Sequence, residues 1–303
     1  MNTWLLFTLL APLLWGTAMV FDGATRRNLV KDDQTLTWVF STLRLPFAII
    51  LLVLGNFGGI NIYSLLLMLI SGFLWTWPIQ FYTKALENED TSNISIFMQT
   101  IPIFTLAIAF FMIGEKLHSN QFIAFIFLIT AGILASLKRE GIKWKFGKGI
   151  LLITTAGVLW ALSDVMFKKF ETDFNDYWSA FAIYFLGSFL VSVLLLGDKK
   201  SRRKILQNIK KLKFRAWFLS SLSTIFGIGG TLSFTYALTL GKASLTSVFI
   251  GFEPLMIIGI GYLLSPFVRE VKKEKLDKKN ILIKGGAIIL IFAGLVFLNL
   301  QIS

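Results

Sequence analysis

The 303 residues contain no cysteine and a single histidine, His118. That excludes disulfides, thiol nucleophiles, Cys/His zinc sites and a Ser-His triad as working chemistry. Charge is also scarce, at 16% of residues, where a soluble domain carries roughly a quarter. Acids are the scarcer sign, 17 against 30 Lys and Arg, leaving a net charge of +13. No phosphate-cradling P-loop is present, so no nucleotide drives whatever the chain does. No hydrophilic stretch could form a soluble domain; the longest loop covers residues 197–215. Neither a catalytic set, nor a metal site, nor a cofactor is expected.

What remains is apolar. Hydrophobic residues make up 55% of the chain and the mean hydropathy is +0.71, which indicates an integral membrane protein. Ten apolar runs reach the length of roughly 20 residues that a spanning helix needs. They lie near 3–22, 36–54, 62–84, 92–113, 119–137, 149–167, 178–196, 216–238, 244–265 and 282–300. Helices are favoured over barrel strands because the runs are continuously apolar. The first run lacks the basic start of a signal peptide and is read as span one. The cations lie in loops between the runs, which points to anionic headgroups and topology control and away from nucleic acid.

The chain repeats itself. Phe81-Tyr-Thr-Lys-Ala-Leu86, a short turn, then Ser92, Ser95, Gln99 and Pro102 return as Ser233-Phe-Thr-Tyr-Ala-Leu238, Ser244, Ser247, Gly251 and Pro254. One constant offset relates the two copies, and each set shares one helical face. Trp15-Gly16 is echoed by Trp160-Ala161, and Ala131-Gly132 by Ala293-Gly294. The unit is therefore five spans, residues 1–140 and 141–303. An odd unit enters its second copy from the opposite side, so the halves are expected to be inverted around a central cavity, an architecture of secondary transporters. The loops of one side carry 24 Lys and Arg and those of the other four. The richer side is predicted to be cytoplasmic, with both termini outside, in a bacterial-type cell membrane. In the long basic loop, Ile205, Ile209 and Leu212 suggest a short helix on the headgroups, with a solvated linker as the alternative.

Ionisable groups at depth are the candidates for function. Glu253, near the middle of span nine, is a proton-titrating or amine-binding carboxylate, or a structural acid at the proline kink. Arg44 is a substrate counter-ion, or a cation that snorkels or pairs with an acid. Asp164 controls access or captures substrate, or is a wet interfacial acid. Pro102 and Pro254 each remove an N–H and crowd the carbonyl four residues back, at Met98 and Ile250. Such breaks belong where they line a cavity, and Ser95, Gln99, Thr100 and Ser247 stand ready as partners. Span eight is rich in small and hydroxylic residues, suited to close packing and to a wet wall. Trp15, Trp160 and Tyr82 are aromatic lining candidates, although membrane aromatics commonly serve as anchors. Glu115, at a helix end after Gly114, reads as a capping or loop charge.

In the order of these features the chain resembles the drug/metabolite transporter superfamily, EamA type. The features are the two first-span tryptophan pairs, Ala-Leu before a short turn, the small-polar stripes ending in proline, Glu253-Pro254, Gly114-Glu115 and the Ala-Gly pairs of spans five and ten. The resemblance implies a cavity lined by spans one, three, four, six, eight and nine, alternating access and a small organic solute. It also implies cytoplasmic termini, opposite to the charge count. Pro266-Phe267 stands where Gly114-Glu115 would be echoed, and Ile101 where Glu253 would be. The expected function is gradient-driven or facilitative transport of small organic metabolites or amphipathic drugs, with possible proton coupling. A sugar or nucleotide-sugar transporter is the alternative, weakened by the single cavity cation Arg44. An intramembrane enzyme or lipid-handling protein is the rival of a different class, weakened by the scarcity of paired acids and nucleophiles at depth.

Overall fold

The computed structural model describes residues 3–28, 30, 32–88, 91–137, 148–271 and 278–299, without the side chains of 27–28, 86–88, 91–93, 95, 278–280 and 299. Among the described residues ten helical segments are long and apolar enough to cross a membrane. They are span one (Thr3–Arg26), two (Asp33–Leu54), three (Ile62–Ala85), four (Ile96–Ile113), five (Ser119–Ser136), six (Lys148–Glu171), seven (Tyr177–Gly197), eight (Phe214–Leu240), nine (Ala243–Leu264) and ten (Ile281–Leu298). The protein is all-α. Large apolar side chains on the outside, such as Val53, Phe111, Leu263 and Leu282, face what in solution would be water and in a bilayer is lipid.

Four spans are interrupted, each just before or at a proline. Span two breaks at Arg44, with Pro46 opening its second half. Span three breaks at Trp77-Pro78. Span four breaks at Gln99-Thr100 before Pro102. Span nine passes through a 3₁₀ stretch, Val248–Phe252, before Glu253-Pro254. A proline fits the first turn of a helix, where its missing N–H has no partner to lose, so each half-helix restarts there. Backbone and side-chain donors both serve these gaps. The Ile250 carbonyl accepts from the Glu253 N–H, and the Phe97 carbonyl accepts from the Thr100 N–H at 3.0 Å and its hydroxyl at 2.6 Å. Ser247, expected to help at the Ile250 carbonyl, instead donates to the Ser244 carbonyl at 2.9 Å.

Span one packs along span eight, and span six along span three; span nine packs on span one, and span four on span six. Spans five and ten form a further pair, as do two and seven. Spans three and six are clasped by two reciprocal bonds of 2.8 Å, Ser71 Oγ to the Ser163 carbonyl and Ser163 Oγ to the Ser71 carbonyl. Spans three and seven cross at Gly72 and Gly187, where a Cβ on Gly72 would lie 1.7 Å from the Tyr184 carbonyl oxygen. Only glycine permits that approach.

The basic loop does hold a helix, Lys199–Ile209, begun by the Asp198 side chain capping the Ser201 N–H at 2.7 Å. Its apolar face, however, lies on protein and not on headgroups. Ile205 is completely buried among Val191, Leu195, Trp38, Trp77 and Ile209. Asn208 donates to Thr35 at 3.0 Å and Lys204 pairs with Asp32. The outward face is cationic, with Lys199, Arg202, Arg203 and Lys210 around Leu206. The apolar residues read from the sequence were the right ones; the terminal turns of spans two and seven supply a surface they cover better than lipid.

Candidate functional site

Polar side chains from several spans converge at and around the helix breaks. Glu253 opens the second half of span nine and is 7% exposed. Among the described residues its carboxyl group has no hydrogen-bond donor, and it sits at the positive end of a half-helix. Tyr82 of span three lies within electrostatic reach of Glu253, Arg26 and Asp22. Its ring rests 6.2 Å from that of Trp160 in span six. Trp160 Nε1 donates to the Trp75 carbonyl at 2.9 Å. Trp75 in turn stacks on Trp15 at 5.4 Å, and Trp15 Nε1 donates to Thr231 of span eight at 3.3 Å. The two first-span tryptophans are thus joined through Trp75.

Arg44 occupies the break in span two. Its guanidinium donates to Thr76 at 2.9 Å and to Ser188 at 2.8 Å, and those two hydroxyls are themselves 2.6 Å apart. It also feels Asp22 of span one, which accepts from Ser223 of span eight. Asp22 with Ser223 joins spans one and eight, and Arg44 with Thr76 and Ser188 joins spans two, three and seven. Arg44 thus donates to two neutral hydroxyls, with the Asp22 carboxyl within electrostatic reach.

Gln99 is 5% exposed and fills the junction of spans four, five and nine. A Cβ on Gly132 would lie 2.3 Å from Gln99 Oε1, and one on Gly251 would lie 2.7 Å from it. Ser247 is buried one turn above. The Ser95 side chain falls outside the described residues. Asp164 is 1% exposed, and neither carboxyl oxygen has a hydrogen-bond partner among the described residues. It is an interior acid, and not the wet interfacial group its place late in span six suggested.

The charge-poor face carries a second cluster. Glu115 accepts from the Ala243 N–H at 2.8 Å, the Ser244 N–H at 3.0 Å and the Ser244 hydroxyl at 2.5 Å. It also pairs with Lys168 at 3.0 Å, and Lys168 donates to the Gly241 carbonyl at 2.5 Å. Lys242 reaches the Lys116 carbonyl and Gln121 Oε1. Burial opposes the Glu115 charge, but the Ser244 hydroxyl, Lys168 and the two N–H groups outweigh it and hold the carboxyl below its usual range.

Two polar positions escaped the sequence reading. Asp22 was taken as the last residue of span one, but the helix continues to Asn28. Lys284 is 9% exposed and donates to the Ala135 carbonyl at 3.0 Å, covering the end of span five. Its signal was present: of the 30 Lys and Arg, the two face counts leave only Arg44 and Lys284.

The sequence model of the EamA-like transporter family matches residues 2–137 and 147–300. A solved crystal structure superposes with a TM-score of 0.72, at 16% identity, over 97% of this chain and 95% of that one. At that identity the likeness establishes the fold alone. No curated protein matches the chain.

Proposed function

The chain belongs to the EamA-like transporter family, and from that premise we propose that it moves a small organic metabolite or amphipathic drug by alternating access between two inverted repeats, residues 1–140 and 141–303. It is a multi-pass membrane transporter and not an enzyme. Support for the repeats comes from reciprocal contacts. Span one on span eight answers span six on span three, and span nine on span one answers span four on span six. Trp15 donating to span eight likewise answers Trp160 donating to span three.

The observation that carries the reading is Glu253. It is a buried carboxyl without a hydrogen-bond donor among the described residues, at a helix break, within electrostatic reach of Tyr82, whose ring rests beside Trp160. An acid in that setting gains a partner when a proton or a substrate amine arrives. Ile101 holds the matching place in span four, so the repeat itself does not require an acid there. Arg44, Tyr82, Trp15, Trp160, Gln99 and Ser247 shape the surroundings, with the kinks at Pro102 and Pro254 completing the wall. Arg44 already donates to Thr76 and Ser188, which counts against an anionic sugar nucleotide that would need several cavity cations. The reading also has the basic loops on the cytoplasmic side of a bacterial-type cell membrane, against anionic headgroups.

Solute counterflow in proteoliposomes, with substrate first identified by a thermal-shift screen, tests this. Glu253→Gln is expected to abolish proton-gradient-driven accumulation while leaving exchange if the acid carries a proton, or to weaken affinity if it binds an amine. Unchanged rate, affinity and pH dependence would remove Glu253 from the site.

A further inference from the structure

We propose that Lys168 is a gate residue that exchanges partners during the cycle: it holds the charge-poor mouth shut by binding Glu115, and moves to Asp164 when that mouth opens. The proposal rests on the alternating-access reading for its purpose, but its geometry stands independently. Glu115 lies in the turn between spans four and five, Lys168 near the end of span six, and Gly241 to Ser244 in the turn joining spans eight and nine. Through the contacts of Glu115 and the Lys168–Gly241 bond, two turns and the end of span six, which must separate for the mouth to open, are fastened at one point.

Parting them strips Lys168 of its carboxylate and its carbonyl together. An ammonium released at the edge of an apolar interior needs a new acceptor. Asp164 lies four residues earlier on the same helix, so the two side chains share a face about 6 Å apart, with the acid N-terminal to the base, the favourable order. In the latched state that acid has two buried oxygens, neither with a partner among the described residues. Among the described residues, Tyr184 of span seven is the ionisable group within electrostatic reach of it. The vacancy at Asp164 and the occupancy of Lys168 are two halves of one exchange. No bond is made or broken covalently; one ion pair replaces another, one helical turn deeper.

The absence of native cysteine gives a direct test. Ser247 is fully buried in span nine, one turn beyond the latch. In the full chain purified in detergent, where both faces are accessible, the reactivity of Ser247→Cys toward a charged thiol reagent reports the opening. Adding Glu115→Gln is expected to raise the labelling rate about tenfold. Adding Asp164→Asn to that variant is expected to lower it again about fivefold, the size of an ordinary coupling between linked sites. With Lys168→Met in place, Asp164→Asn is expected to change nothing. Ser244→Ala removes only one contact to Glu115 and gives a gentler opening with the same dependence on Asp164, should Glu115→Gln fold poorly. An unchanged rate in both Glu115→Gln and Ser244→Ala would overturn the latch. A raised rate indifferent to Asp164→Asn would overturn the exchange. Because neither readout requires transport, failure here is separable from failure of the Glu253 assignment.

Discussion

At the scale of single residues, acids decide the behaviour of this protein because it has so few inside. Glu115 is the one whose chemistry is most fully determined. Its folded carboxyl is held below the unfolded value by the Ser244 hydroxyl, Lys168 and two N–H groups, against burial, with Lys242 nearby as a further cation. A depressed acid contributes stability that is fully present above its unfolded value, about 4.3, and is lost as pH falls through the folded value. Melting of the purified protein is therefore expected to drop below about pH 4 in the wild type. In Glu115→Gln that part of the acid sensitivity should vanish, with a loss of about 1–3 kcal/mol at neutral pH from donors left without their acceptor. The capping or loop charge read from the sequence is what Glu115 is, in a turn and accepting from the N–H groups of Ala243 and Ser244, but its partners were illegible for a physical reason. Glu115 follows a helix-ending Gly114 with a left-handed backbone, φ 67°, and looks like any loop charge until the turn before Ala243 is brought beside it. Glu253 and Arg44 were legible because an ionisable group in an apolar run needs explaining wherever it folds. Their partners were not, since Thr76 and Ser188 lie 32 and 144 residues from Arg44.

At the scale of elements, existence was readable and continuity was not. All ten spans appear close to where hydropathy puts them, because burial of about 20 apolar residues dominates every local preference. The breaks at Pro102 and Pro254 were visible as prolines, whereas Arg44-Leu45-Pro46 and Trp77-Pro78 interrupt runs that read as unbroken. Close crossings are likewise silent in a hydropathy trace. Gly132→Ala is expected to destabilise by about 1–3 kcal/mol, because its Cβ would enter the Gln99 carboxamide where spans four, five and nine meet. Gly285→Ala in span ten, where a Cβ meets nothing within 4 Å, should instead be neutral or gain up to about 1 kcal/mol. Thermal melts of the two variants check the contrast. The surface helix Lys199–Ile209 offers another test. Ile205→Asp removes its buried anchor, so limited trypsin digestion should cut residues 199–213 about tenfold faster than in the wild type, as expected when a docked segment opens locally.

At the scale of the whole molecule, the sharpest open contrast is orientation. The resemblance to EamA transporters implies cytoplasmic termini, and the loop charges imply the reverse, with 24 Lys and Arg on one face and four on the other. The structure bears on the weight of those four. Lys168 is bound to Glu115 and the Gly241 carbonyl, Lys169 to the Met112 carbonyl and Lys242 to Gln121 and the Lys116 carbonyl. Three of the four are thus spent on fastening turns, and few remain as free surface charge. On the other face, Lys199, Arg202, Arg203 and Lys210 stand outward around Leu206, where anionic headgroups would attract them by about 1 kcal/mol each. Positive residues near span ends are retained on the cytoplasmic side, and the asymmetry between the faces is sharper than the raw count. Ser303→Cys is therefore expected to react with an impermeant maleimide in intact cells, and Lys199→Cys only after permeabilisation. The opposite pattern would put the basic face outside and the termini within; labelling of both sites in intact cells would mean that the chain inserts in two orientations, and that the charge count does not govern it.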